Sequence, residues 1–492
     1  MGAVSALHEL CVDRHPEEAP ALLDAHHRYT FGELREMSAR LATHLRHAES
    51  VAPGERVVLV LPQRLETALL HVACSRIGAI SVPLSPLFGP DGLATRMGDA
   101  RPALAVTLAA HAGVVREALR LAALDAPLRL ADDALFEARW TSARPMERAE
   151  EARASEDAPL TLVYTSGTTA RPKGALLPHR VVPGRMPGFR LAHEPLERDA
   201  VFYSPADWSW IGGLHDSLFA PWHEGVAVAA HERHGALDAQ ECYRFMEERG
   251  VTDAFFPPTA LKLLARAGAS PPLRLRTLHS AGEPLAPPVA AWARAQLADA
   301  VAEVYGLTEC AFLVGSATRA YETPEGSMGR AFPTHRVEVV DEELCVREGD
   351  PTMMLGYWRG PDAPPELPLD AQGLLHTGDL AREHDGFLWF LGRKDDLIKT
   401  SGYRVGPAEV EATLLAHAAV AECAVVGVPD EARGQRVKAF VKRAAPVTAE
   451  ELMAFVKARL AAHAYPREIE FVDALPMTAS GKLKRRELRG RG

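Results

Sequence analysis

Lysine is scarce in this chain: of 55 basic residues only nine are lysines, and the other 46 are arginines. Lys173 and Lys262 stand alone in the first 393 residues, whereas Lys394, Lys399, Lys438, Lys442, Lys457, Lys482 and Lys484 crowd the remainder. That asymmetry sets the C-terminal segment apart. Cysteine is sparse too. The six thiols, Cys11, Cys74, Cys242, Cys310, Cys345 and Cys423, form no Cys-x-x-Cys pair, which argues against a zinc site or a disulfide framework and leaves them expected to be reduced and mostly buried. No run approaches the roughly 18 apolar residues needed to cross a bilayer, and residues 1–13 lack a basic stretch followed by an apolar one. A cytoplasmic protein without a membrane partner is therefore expected. Positive charge is also in deficit, with a net charge of −10 and a basic tail confined to residues 482–491, so no nucleic-acid partner is expected.

What the chain does have is size: 492 residues at 47% hydrophobic content can bury large cores in two or more domains. It also has one unusual stretch. The apolar run Leu160 to Val163 leads into Tyr164-Thr165-Ser166-Gly167-Thr168-Thr169-Ala170-Arg171-Pro172-Lys173-Gly174. Hydroxyls and exposed backbone N–H groups there can donate toward one concavity, glycine lets the backbone approach closely, and a lysine adds a mobile charge, which suits a polyphosphate. Gly174 is followed by Ala175 and Leu176, so the Gly-Lys-Ser/Thr ending of a P-loop NTPase is missing. A solvent loop between strands is the plainer reading of such a run. The rarity of lysine elsewhere weighs against it.

Thr30-Phe31-Gly32-Glu33 reads as a capping box opening a helix to about His47, followed by a buried strand over Val57 to Leu61 and a helix over Leu65 to Ile77. Further strands are predicted at Val82, Leu104 to Thr107, Leu160 to Val163, Val226 to Ala230, Val251 to Phe256 and Leu275 to Ser280, mostly separated by helical patterns. The alternation predicts an α/β architecture with parallel sheets. Charged residues 138–157 show little apolar periodicity and read as a surface excursion. Past Arg393 the pattern restarts with a helix from Pro407 to His417, strands over Ala421 to Val428 and Arg436 to Lys442, a helix from Ala449 to Ala462 and a strand over Glu468 to Val472. A boundary near Arg393 to Asp396 divides residues 1–392 from 393–492.

The phosphate-type loop is followed by Val304-Tyr305-Gly306-Leu307-Thr308-Glu309, His376-Thr377-Gly378-Asp379, Gly392-Arg393-Lys394-Asp395-Asp396 with Ser401-Gly402-Tyr403-Arg404, and Ser480-Gly481-Lys482. In this order the motifs resemble the AMP-forming adenylating superfamily of acyl-CoA synthetases, free-standing adenylation domains and luciferases. The run Tyr203-Ser204-Pro205-Ala206-Asp207-Trp208-Ser209-Trp210 and the ending Ala464-Tyr465-Pro466-Arg467 look most like its acetyl- and medium-chain acyl-CoA synthetase branch.

The resemblance implies a large N-terminal multi-subdomain α/β domain and a small mobile C-terminal α+β domain. It also implies two half-reactions. A carboxylate attacks the α-phosphate of ATP to give acyl-AMP and pyrophosphate, and the thiol of coenzyme A then displaces AMP. Thr165, Ser166, Gly167, Thr168, Thr169 and Lys173 are expected around the polyphosphate, and Glu309 as the ligand of Mg2+. Asp379 matches the position that binds the ribose hydroxyls, with Arg393 on the same nucleotide. Gly282-Glu283-Pro284 and Tyr305 match the segments that sandwich the adenine, and Glu303, Val304, Gly306, Leu307, Thr308 and Arg404 fall at further nucleotide-binding positions. Lys482 matches the lysine that stabilises charge developing at the α-phosphate. Asp395 corresponds to the hinge about which the small domain turns between half-reactions. Ser401, Gly402, Tyr403, Arg433, Lys457, Tyr465 and Arg467 match coenzyme A contacts. Ala170 departs from the family, which usually has a second glycine there.

Acetate-restricted relatives place tryptophan at the position of Gly306, so glycine is expected to leave the acyl pocket open, with Trp208, Trp210, Gly212, Gly213 and Ala281 completing its wall. The resemblance thus implies a small carboxylic acid larger than acetate as substrate, taken by a monomer or homodimer. Two other readings compete. An adenylate-forming ligase loading a carrier protein is disfavoured by the Tyr-Pro-Arg ending, and a catalytically dead nucleotide or acyl sensor by the intact Lys173, Glu309, Asp379, Arg393 and Lys482.

Overall fold

The computed structural model describes residues 6–491 apart from 166–171, 195, 234, 236, 269–270, 272, 318, 401–402, 432, 461–463 and 478–482, and apart from the side chains of 403 and 404. Its described residues build four sheets. The largest is nine-stranded, and its centre is parallel: Pro20–Leu23, Ala227–Ala229, Val201–Tyr203, Asp253–Phe255, Leu275–Ala281 and Ala298–Leu307 lie side by side in that order. A seven-stranded sheet pairs Leu128–Leu130, Leu104–Thr107, Arg56–Val60, Ile80–Pro83 and Pro159–Thr165 in parallel, then turns antiparallel through Lys173–Pro178 and Gly356–Tyr357. Near-continuous burial of Arg56–Val60, Ile80–Pro83 and Leu104–Thr107 is what a parallel strand covered on both faces requires.

A core of apolar side chains joins the helices Phe31–His47 and Leu65–Ile77 to both sheets. The first of these helices carries the capping box foreseen at Thr30, whose side chain accepts from the Glu33 N–H while Glu33 accepts from the Thr30 N–H. A third, antiparallel sheet joins Val337–Val340, Glu343–Arg347, Leu374–His384 and Phe387–Arg393. The fourth follows it in the chain, from Ile398–Thr400 and Tyr403–Val405 through Val420–Asp430 and Gly434–Arg443 to Glu468–Phe471. A large N-terminal α/β body and a smaller C-terminal α+β unit result. The helix expected to run to Ala462 spans Ala449–Lys457, with residues 461–463 outside the described set.

One expectation is refined. Residues 138–157 lie mostly at the surface, as expected, but buried side chains anchor them to the body. The helix Ala134–Thr141 buries Phe136 and Trp140, Met146 joins the same core, and the Met146 and Ala152 N–H groups donate to the carbonyls of Ala39 and Arg76. The buried Arg76 guanidinium pairs with both Asp13 and Glu151. Single apolar anchors set among charges leave no periodic pattern, which is why the sequence reads as polar. Trp140→Ala is expected to destabilise the protein by about 3–5 kcal/mol, the range for removing a buried aromatic ring. Chemical denaturation checks this, and a loss under about 0.5 kcal/mol, typical of surface positions, would argue against the anchoring.

Candidate active site

Thr165, Gly282 and Tyr305 lie at the carboxyl ends of parallel strands, where open α/β sheets place their ligands, whereas Asp379 and Arg393 come from the antiparallel third sheet. Pro159–Thr165 and Lys173–Pro178 form a hairpin in which Thr165 lies opposite Lys173 and its hydroxyl donates to the Lys173 carbonyl (3.4 Å). Ser166, Gly167, Thr168 and Thr169 fall in the connecting loop, outside the described residues, as does Ala170. Beyond Lys173–Pro178 the edge strand Gly356–Tyr357 completes the sheet, and it supplies a residue the motifs did not reveal. The Tyr357 ring lies under the Lys173 ammonium, 4.8 Å from nitrogen to ring centre, and its hydroxyl donates to Glu309 Oε1 at 2.7 Å. Burial, reinforced by the Glu309 carboxylate, pushes the Tyr357 hydroxyl well above the usual phenol range, so it remains a donor.

Glu309 sits on the turn between Ala298–Leu307 and Cys310–Gly315, and its carbonyl accepts from the Met354 N–H at 2.8 Å. The turn is braced by Cys310, buried against Asp350 and Thr352. Thr308 and Leu307 lead into it half-buried, and Leu307 packs on the core of the third sheet. The Tyr305 hydroxyl donates to Asp379 Oδ2 at 2.7 Å, while Arg393, opposite Asp379 in the strand pair, places Nε 3.1 Å from Oδ1. Tyr305, Asp379 and Arg393 thus form one cluster. Gly282 adopts φ +96°, and the loop it opens is tied down by the Leu285 N–H, which donates to Glu303 Oε1 at 3.1 Å. Glu303 is therefore a brace between Leu285 and its own strand. The Pro284 and Glu283 turn follows the same strand end.

Residues 394–396 form a single 3-10 turn that carries the chain into the fourth sheet. Lys394 binds Glu343 of the large body at 2.7 Å, Asp396 pairs with Arg485 and Arg489 of the last helix, and the Asp395 carbonyl accepts from Arg489 at 3.1 Å. Ser401, Gly402 and Lys482 lie outside the described residues, and of Tyr403 and Arg404 only the strand backbone is described. Among the remaining coenzyme A candidates, Tyr465 receives two cations on its ring, Lys457 at 5.4 Å and Arg467 at 3.9 Å, and Arg467 also donates to its hydroxyl. Exposed Arg433 stands on a turn where its N–H caps Asp430.

The AMP-binding enzyme family matches residues 9–358, and its C-terminal domain matches residues 409–482. The acetyl-coenzyme A synthetase of Bacillus subtilis is 31% identical over 99% of this chain and 90% of its own length. A mitochondrial acyl-coenzyme A synthetase of Mus musculus is 32% identical over 94% of this chain and 84% of its own. The crystal structure of an acyl-CoA synthetase from Brucella canis, 34% identical, superposes with a TM-score of 0.75 and covers 100% of this chain and 95% of that one. The chain belongs to the AMP-binding enzyme family, in its acyl-CoA synthetase branch.

For an AMP-binding enzyme the acyl pocket departs from expectation at three positions. Trp208 is fully buried in the core between the first two sheets, so its ring packs the scaffold. A Cβ on Gly213 would stand 2.0 Å from the Asp207 carbonyl oxygen, so glycine is there for close backbone approach. The space beside Gly306 is not open either: a Cβ would meet the Phe312 backbone nitrogen at 2.6 Å. The pairing of the two strands is irregular between Tyr305 and Leu307, and Phe312 adopts φ +61°, which folds the chain back over Gly306. Trp210 stands edge-on to Phe88 at 5.9 Å. Gly212 and Ala281 remain at the cleft wall, Gly212 directly over Phe255. Among the described residues no helix is long and apolar enough to cross a membrane.

Burial pushes the Glu303 carboxyl up to about 7 against the Leu285 N–H, which favours ionisation. The folded state binds this proton more tightly than the unfolded chain, so its contribution is fully present below the unfolded value of 4.5 and is lost as pH rises through about 7. Glu303→Gln keeps an acceptor for Leu285 and removes the titration. Its melting temperature is expected to gain on the parent between pH 5 and pH 8. A difference that does not change with pH across that range would contradict the assignment.

Proposed function

We propose that this AMP-binding enzyme activates a carboxylic acid larger than acetate, of the medium-chain, branched, alicyclic or aromatic kind, and passes the acyl group to coenzyme A. The observation that carries the reading is the pair of arrays, Lys173 with Tyr357 and Glu309, and Tyr305 with Asp379 and Arg393, which one strand and its turn join through Tyr305 and Glu309. In this reading the first group handles phosphate charge and the second holds the ribose. Lys173, with Thr165 beside it, neutralises the polyphosphate while a carboxylate oxygen attacks the α-phosphorus. One carboxylate at Glu309, set beside a cation meant for phosphates, is a donor set that suits Mg2+, which when bound would neutralise phosphate oxygens. Tyr357 orients that carboxylate.

Gly282 to Pro284 and the strand end at Tyr305 flank the base. Lys482 supplies charge at the α-phosphate in the first half-reaction, and Asp395 is the pivot for the second. The cationic group Lys457, Tyr465 and Arg467 supports coenzyme A, a ligand with phosphates and an adenine ring, as the acceptor. An acid larger than acetate is supported by Gly212, which brings no side chain above the ring of Phe255.

AMP and acyl-thioester production by the purified protein with ATP and Mg2+ across a panel of carboxylates, each with and without coenzyme A, tests the whole reading. Coenzyme A-dependent AMP release with an acyl-CoA product is the expected result, and acyl-AMP formation indifferent to coenzyme A would favour a carrier-protein acceptor. Lys482→Ala is expected to slow acyl-AMP formation by about 10²-fold or more while thioester formation from supplied acyl-AMP is nearly retained. Equal loss of both would defeat the division of labour.

A further inference from the structure

Beneath the cleft wall lies a buried polar chain inside an otherwise aromatic core. Thr277, His279 and Ala281 alternate along Leu275–Ala281 and so share one face, and the neighbouring strand sets Ala302 and Val304 opposite His279 and Ala281. That face looks onto the core formed with Phe189, Phe202, Phe255 and Phe312. The His279 ring stacks flat on Phe255, 4.6 Å between centres, and meets Phe312 edge-on at 5.4 Å. Phe255 lies under Gly212, where a Cβ would come within 3.0 Å of its ring, and the Phe312 backbone lies under Gly306. Phe255 and Phe312 therefore lie directly behind Gly212 and Gly306, and His279 packs against both rings. Phe312 reaches that position only through a left-handed backbone, a conformation costly for a bulky residue and concentrated at functional sites.

The hydrogen-bond direction along the chain is fixed by its far end. The Asp253 carboxylate takes the hydroxyls of both Thr252 and Thr277 and an ion pair with Arg276. With its proton committed to Asp253, Thr277 Oγ1 must accept from His193 Nδ1 (2.5 Å). His193 is neutral, burial holding it down at about 3, so its Nε2 is an acceptor for the Nδ1–H of His279 at 2.6 Å. Burial, with His193 beside it, likewise keeps His279 uncharged. Its Nε2 is then a bare acceptor, fully buried and without a hydrogen-bond partner among the described residues. Leaving such an atom unsatisfied is expensive in a core this apolar, and phenylalanine would fill the same place without the penalty.

We propose that His279 is a specificity residue of the acyl pocket, and that the acid this enzyme activates carries a hydrogen-bond donor, a hydroxyl or an amine, at the end remote from its carboxylate. The inference rests on the acyl-activating reading above. It narrows the substrate class from larger acids in general to those ending in an O–H or N–H group. A donor at that end satisfies Nε2; an ether oxygen, which only accepts, meets a lone pair.

The test uses the full chain and coenzyme A-dependent AMP release with matched acids: benzoate, 4-hydroxybenzoate and 4-methoxybenzoate, then hexanoate and 6-hydroxyhexanoate. Expected is a kcat/KM at least about tenfold higher for the hydroxy acid than for its unsubstituted partner in one series or both, the size of one hydrogen bond to a buried group, with the methoxy acid below both. In His279→Leu that ratio is expected to fall to near one. Turnover that favours the unsubstituted acid in both series, or a hydroxyl preference unchanged in His279→Leu, overturns the proposal while leaving the acyl-activating reading intact. Should the variant fail to fold, the ranking by the parent protein decides. AMP release with none of these acids, and none across the wider panel, overturns both.

Discussion

The contact on which the site depends is the one made by Tyr357. Its edge strand belongs to the seven-stranded sheet, its hydroxyl holds the carboxylate of a turn belonging to the nine-stranded sheet, and its ring carries the lysine that closes the phosphate-type hairpin. One side chain therefore sets the distance between two sheets at the point where a nucleotide would bridge them. A phenol suits this because it offers a donor at one end and a π face on its side, so it can meet an anion and a cation at once without neutralising either. The pair on the opposite wall follows a similar logic, with Tyr305 and Arg393 both fixing Asp379.

Much of this arrangement was legible in the sequence, and the reasons differ by element. Helix Phe31–His47 declares itself through a capping box, and Leu104–Thr107 through an uninterrupted apolar run, because both signals are local. The paired strands Val337–Val340 and Glu343–Arg347 went unread, since short antiparallel strands draw stability from a partner rather than from their own composition. Pro20–Leu23 was missed because it joins its sheet beside Ala227–Ala229, some two hundred residues away.

Around the candidate site the motifs name residues but not the directions of their contacts. The motifs carry Glu309, Asp379 and Arg393, yet they say nothing of Tyr357, whose role arises from sheet pairing. Glycine was the least trustworthy sign. Gly213 and Gly306 read as room for substrate, but each is the place where main chain packs against main chain. A missing side chain in a sequence does not reveal whether the freed volume holds ligand or backbone.

The turn at residues 394–396 has a further consequence. Lys394 is fastened to the large body, whereas Asp396 and the Asp395 carbonyl are held by the final helix of the small one, so the change of side falls at the link between Lys394 and Asp395. On the hinge reading proposed above, torsion would concentrate at that link, and about the last hundred residues would swing as one arm. The Arg266–Glu422 ion pair lies across that arm, from a helix of the large body to a strand of the small one. Dissolved salt weakens a partly exposed pair of this kind, so on the same reading ionic strength would tune how firmly the small unit is held.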